Sequence, residues 1–197
     1  MVSMSLVSIF FNVQLLKYAG ENGVAAYGVL MYVNMIFLSI YLGYAVGTAP
    51  IISYHFGAQN HDEVKGLLKK SIVIMGVFSV IMFVSAQLLS KPLSMLFVGY
   101  DQVLMDMTQR AIFVFSFAFL FSGIGVFGSS FFTAMNDGLI SALISFLRTL
   151  VFQVTAVLVF PLIWGLDGIW LSIVVAEAMA VIVTVLFFIG KRRKYHY

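Results

Sequence analysis

Two residues of opposite charge stand alone in long apolar runs. Arg148 is the one charge between Leu139 and Leu166, and Glu177 is the one charge between Gly168 and Gly190. An arginine and a carboxylate isolated in this way can do two kinds of chemistry. They can neutralise one another as a static salt bridge that ties two helices together, or the carboxylate can exchange a proton in step with a bound solute. Both readings stay open here. Asn12, Asn34 and Gln153 are further polar groups within apolar runs and are candidates for lining a cavity, whereas Gln14, Gln87, Ser116 and Ser122 fit hydrogen bonds between helices. Enzyme chemistry fits poorly. Glu177 is the single acid deep in such a run, no histidine lies in one, HExxH and GxxxxGK[ST] do not occur, and cysteine is absent. No metal site is expected.

What positions these groups follows from the solvent. The chain is 62% hydrophobic and only 10% charged, where a soluble domain carries roughly 25% charge. A domain of this size could not hide so much apolar surface from water. Ser71–Ser90 and Ala111–Met135 carry no charge, and Asn22–Tyr54 is uncharged and longer than one crossing. Such runs reach the ~20 residues of a membrane helix and lack the strict alternation of a β-barrel. The reading is an all-α, polytopic membrane protein with helices near 2–18, 24–53, 66–89, 108–135, 139–163 and 168–190. The N-terminus lacks a basic stretch before its apolar run, so the first helix is expected to stay in the membrane. Arg148 lies about 15 Å along its helix counted from Gly138, and Glu177 about 20 Å along its own counted back from Gly190, at 1.5 Å per residue. The two helices are antiparallel neighbours, so a pair across them is geometrically allowed.

Orientation follows from lysine and arginine. With the basic tail "KRRKYHY" (191–197) inside, seven basic residues (Lys65, Lys69, Lys70, Lys191, Arg192, Arg193, Lys194) fall inside and three (Lys17, Lys91, Arg110) outside. Both termini are then cytoplasmic, in a plasma (inner) membrane, and Trp164 and Trp170 flank an outer loop. The net charge of +3 belongs to these membrane-flanking residues, which suit anionic lipid headgroups and not nucleic acid. The second helix is expected to leave the membrane after Pro50, which either bends it or marks its end. Asn60 or Asp62 suits the N-cap of the next helix. His55 and His61 read as ordinary loop residues.

Glycines punctuate the rest. "MNDG" (135–138) and "WGLDGIW" (164–170) are tight turns. "GENGVAAY" (20–27) echoes "GLDGIWLS" (165–172), each a Gly-x-x-Gly followed by an apolar helix, which is either a weak three-plus-three repeat or shared turn chemistry. Gly43 and Gly47 form a GxxxG pair, and Gly123, Gly125 and Gly128 cluster in the fourth helix; close helix packing is the expected use of both sets.

Taken in order, "GYAVGTAPIISYHFGAQN" (43–60), the basic helix start "VKGLLKKS" (64–71) and "FFTAMNDGLISALISFLRTLVFQVTAVLVFPLIWGLDGIWLSIVVAEAMA" (131–180) resemble the multidrug and toxic compound extrusion (MATE) family. The resemblance covers nearly the whole chain. It implies the C-terminal half of a twelve-helix transporter built of two six-helix lobes. Such a transporter expels small cationic or aromatic drug-like compounds by alternating access, in exchange for H+ or Na+ as coupling ion and with no other cofactor. It also implies an N-terminal six-helix lobe as the missing partner, beside membrane lipid. Two departures stand out. One lobe is only half a cavity wall, and the carboxylates that some members carry in helices seven and ten have no counterpart inside the first and fourth spans here. A lipid-linked oligosaccharide flippase of the related superfamily, or a non-transporting membrane fragment or assembly partner, are the rival readings.

Overall fold

In a bilayer every backbone amide must find its partner within the protein, and helices do this segment by segment. In the computed structural model, which describes residues 2–195, the chain is helical almost throughout. The first helical stretch, Val2–Gly57, is broken at Gly20, whose φ of 63° and ψ of −152° lie outside helical space. That break separates α1 (2–19) from α2 (21–57). The helices that follow are α3 (His61–Val98), α4 (Gln102–Ala134), α5 (Gly138–Val159) and α6 (Pro161–Tyr195). α6 is interrupted at Gly165 in nearly the same conformation, φ 57° and ψ −133°. A positive φ of this kind is strained for any residue with a Cβ, so the two echoing Gly-x-x-Gly segments share a backbone device. Ser5–Gly57, at 53 residues, exceeds one crossing, and the Gly20 break makes it two.

The lipid-facing surface explains the composition. Leu88 and Leu186 are 74% and 62% exposed, a distribution suited to a hydrocarbon solvent. α4 is the most buried helix and packs on the α1–α2 stretch, α3, α5 and α6. Two of its glycines make this possible. A Cβ at Gly123 would stand 2.9 Å from Tyr41 Cε1, and one at Gly128 only 2.2 Å from Thr184 Cγ2. Gly43 and Gly47 behave otherwise: a Cβ at either would meet nothing within 4 Å. Their pair lies on an open face of α2 and does no packing inside this lobe, contrary to its expected use.

Polar side chains tie the helices where backbone regularity fails. Ser116–Ala118 of α4 is a 3-10 turn, and Gln87 of α3 donates to Ser116 Oγ at 2.7 Å and to the Phe113 carbonyl at 3.2 Å. The Tyr41 hydroxyl donates to the Phe119 carbonyl at 2.9 Å. A hydroxyl cluster joins α4 to α5, with Ser129 Oγ 2.9 Å from Ser141 Oγ and 2.8 Å from Ser145 Oγ, and Thr133 Oγ1 2.6 Å from Ser141 Oγ.

The helices extend past the expected ends because their polar caps continue the backbone beyond the apolar run. α2 does not stop at Pro50. It stays helical to Gly57, and the break lies at Gly20 instead. Pro50 lacks an N–H and disturbs the preceding turn. There the Ala45 carbonyl accepts from Ser130 and Thr48 at 3.2 and 3.3 Å, and Ser53 Oγ donates to the Ala134 carbonyl at 2.8 Å. The Ser130 and Ser53 bonds pin α2 to α4 on both sides of the proline. The loop that follows shrinks to residues 58–60, and the Asn60 side chain caps α3 by accepting from the Glu63 amide.

The helix ends around 57–61, 135–137 and 195 meet at one end, called here the basic end. Phe56 packs edge-on to Tyr195, and the Tyr195 hydroxyl donates to Asp137. Asp137 also caps α5 by accepting from the Ile140 amide at 3.3 Å. Burial works to raise the Asp137 pKa, but the Tyr195 hydroxyl, the Ile140 amide and the Lys194 and Lys191 ammonium groups outweigh it and lower the pKa below the usual carboxylate value.

Candidate functional site

Arg148 and Glu177 meet. Arg148 Nε donates to both carboxylate oxygens of Glu177, at 3.0 and 2.9 Å. Each is placed by its own helix. Residues Leu147–Phe152 of α5 form a π-helical segment, a wider turn that often marks functional sites, and it presents Arg148 and Thr149. Glu177 lies on α6 twelve residues beyond the Gly165 break and is 4% exposed. Gly125 of α4 closes the third side, where a Cβ would touch Arg148 Cδ at 3.4 Å and Nε at 3.5 Å.

The pair borders a cavity of about 340 Å³ inside the helix bundle, within the range of small-ligand sites. Its polar lining includes Asn34, Gln153, Ser8 and Thr149 beside Arg148 and Glu177. Its apolar wall is aromatic. Phe11 and Tyr27 stack at 5.2 Å with rings 4° from parallel, and Phe115 and Met31 continue the surface. Asn34 and Gln153 therefore reach the cavity with the ion pair. Asn12 does not. It is exposed on α1 and borders a separate groove with Leu16, Glu21 and Val24. Pro50 is exposed and borders none of these cavities.

Charge and polarity inside apolar runs signalled half of this site. The aromatic half carried no signal, because a Phe lining a cavity and a Phe facing lipid read alike. A second ion pair was also unforeseen: Arg110 on α4 and Asp167 beside the Gly165 break form a bidentate pair at 2.7 and 2.6 Å. Both residues lie away from the basic end, and that shared side was the available clue.

The architecture is that of known membrane transporters. The chain aligns over 100% of its length with 44% of a MOP-superfamily transporter from Pyrococcus furiosus Vc1 (DSM3638), described as having a binding pocket of reverse polarity, at 23% identity and a TM-score of 0.91. It aligns over 99% of its length with 43% of a multidrug-resistance MATE family transporter of the MOP superfamily in an outward-facing conformation, at 24% identity and a TM-score of 0.89. A MATE structure in complex with MaL6 gives 23% identity and a TM-score of 0.88, over 99% of this chain and 44% of that one. At these identities the likeness is one of fold, and the chain spans less than half the length of these proteins. None of the curated proteins matches it. The MatE family model, however, matches residues 1–159, and on that match the chain belongs to the MatE family.

Proposed function

We propose that this chain is one six-helix lobe of a MATE-type exporter, the C-terminal one. With a second lobe it moves small cationic or aromatic compounds out of the cell by alternating access, in exchange for H+ or Na+. Its role is transport and not catalysis. The observation that carries this reading is the membrane-embedded cavity with a buried ion pair in a chain of this family. Membrane-buried charges are costly and concentrate on ion and solute pathways, and Glu177 is the acid at hand for coupling. The open face of α2 around Gly43 and Gly47, together with neighbours more than twice as long, supports a second six-helix lobe as partner. The basic residues of α3 and the 191–194 segment favour an orientation in a plasma membrane with both termini on the cytoplasmic side.

The test is efflux of a fluorescent aromatic cation from cells or vesicles, with the chain alone and with an N-terminal lobe of the family co-expressed. Efflux is expected only with both lobes, and it should collapse when the proton and sodium gradients are dissipated. Gradient-independent efflux would overturn the antiport reading. Efflux by the chain alone would replace the two-lobe partner with a second copy of this chain. In the two-lobe protein, Glu177→Gln separates the two roles of the carboxylate: coupling is lost with normal folding if it exchanges the proton, and folding suffers with normal coupling if it is structural.

A further inference from the structure

The ion pair uses only one edge of the arginine. Both Glu177 oxygens are taken by Nε. Among the described residues no hydrogen bond reaches Nη1 or Nη2, and neither is a buried atom lacking a partner. The Arg148 side chain is 18% exposed, and the space it borders is the cavity. The guanidinium therefore turns its Nη side, with four N–H donors, to the cavity, while the carboxylate sits behind it, almost fully buried. The pair is a dipole with its positive end toward the cavity.

A cation entering this space meets the guanidinium first, and the acid bordering the same space is almost fully buried at 5% exposure. An oxyanion entering it meets four donors that lack a partner. Opposite charges at hydrogen-bond distance outweigh the more distant Glu177 charge, because Coulomb energy falls with separation, and such charge-assisted bonds are the strong ones. The Asn34 and Gln153 carboxamides, which border the same space, can add donors. The stacked Phe11–Tyr27 wall suits a flat ring on the other side. We infer that the cavity of this lobe is a binding site for a small aromatic compound carrying a carboxylate, held by the Nη edge of Arg148 and the Phe11–Tyr27 wall. The inference does not depend on transport: it is a property of this chain's own cavity, and it holds or fails whether or not the chain pairs with a second lobe to export cations.

The experiment is a fluorescence titration of the full chain in lipid nanodiscs with three probes of one shape: naphthalene-2-carboxylate, its neutral carboxamide and 2-naphthylmethylammonium. The carboxylate is expected to bind about tenfold tighter than either analogue, the scale of a charged hydrogen bond. R148Q should abolish that preference, and R148K should keep part of it. E177Q should tighten carboxylate binding, since it removes the rear negative charge and leaves the guanidinium uncompensated. Opposite responses from two members of one pair would not arise from a merely structural role. Preference for the ammonium probe, equal binding of all three, or parallel loss in R148Q and E177Q would each overturn the proposal. The three-probe comparison on the unaltered chain decides it even if R148Q fails to fold.

Discussion

The two arginine–carboxylate pairs differ in where they sit, and the weaker geometry occupies the more demanding place. Arg110 and Asp167 form two parallel bonds at 2.7 and 2.6 Å, yet their side chains are 66% and 36% exposed. Arg148 and Glu177 share one nitrogen at 2.9 and 3.0 Å and are 18% and 5% exposed. Water and salt screen the first pair and leave it little net effect. The second is much less accessible to solvent, so each partner depends on the other, and removing one strands a buried charge. Bond geometry alone would rank them the wrong way round; burial sets the order.

The sharpest way to break that ranking is substitution at the buried pair. Glu177→Gln and Arg148→Ala should each lower stability by about 3–5 kcal/mol, read as thermal unfolding in nanodiscs, and the double variant should recover part of the loss. Simple additivity would mean the partners do not depend on one another.

A smaller effect is expected from the spacing of the helices around the buried pair. Gly128→Ala places a Cβ 2.2 Å from Thr184 Cγ2 and should cost about 1–3 kcal/mol by overpacking. Adding Thr184→Ser deletes the offending methyl while keeping the hydroxyl that donates to the Ala180 carbonyl, and should restore much of the loss.

Asp137 gives an intermediate case at the basic end, where a carboxylate 12% exposed caps α5 and faces Lys194, which is 60% exposed. Asp137→Ala should cost about 1 kcal/mol, the usual value of an N-cap. Its folded pKa is lowered, so its ionised contribution is present above the unfolded value of about 4 and disappears as pH falls through the lower folded value. The stability gap between the parent and Asp137→Asn should therefore be flat near neutrality and close in acid.

The smallest effect belongs to the exposed pair. Asp167→Asn should change stability by less than about 1 kcal/mol, and that difference should shrink in 1 M salt, where the screening length is about 3 Å. The Glu177→Gln difference should be insensitive to the same salt. A salt-sensitive buried pair would show that water reaches it.

The same contrast explains what could be read before the structure. Arg148 and Glu177 were legible because charges are rare in hydrocarbon, and helix rise alone placed them within reach. The Gly20 and Gly165 breaks were legible as paired Gly-x-x-Gly segments. Asn12 and Asn34 looked equivalent, yet one borders an outer groove and the other the cavity. In water a polar face would have told them apart. In a bilayer both faces of a helix are apolar, and the periodic signal vanishes. Gly43, Gly47, Gly123 and Gly128 looked alike for the same reason, and only the last two meet a neighbour.

The π-helical segment at 147–152 has a consequence for how this helix tolerates change in length. A π turn accommodates one more residue than the α turn it replaces, and in an α-helix one residue corresponds to about 100° of rotation. Deleting a single residue such as Leu150 could therefore be absorbed by a return to α geometry, with Arg148 and Gln153 keeping their faces. Deleting one from the regular turns of Gly138–Phe146 would rotate Arg148 away from Glu177 relative to the Asp137 cap. In this helix the stretch that carries the charge is also the stretch whose reading frame in space can slip by one residue.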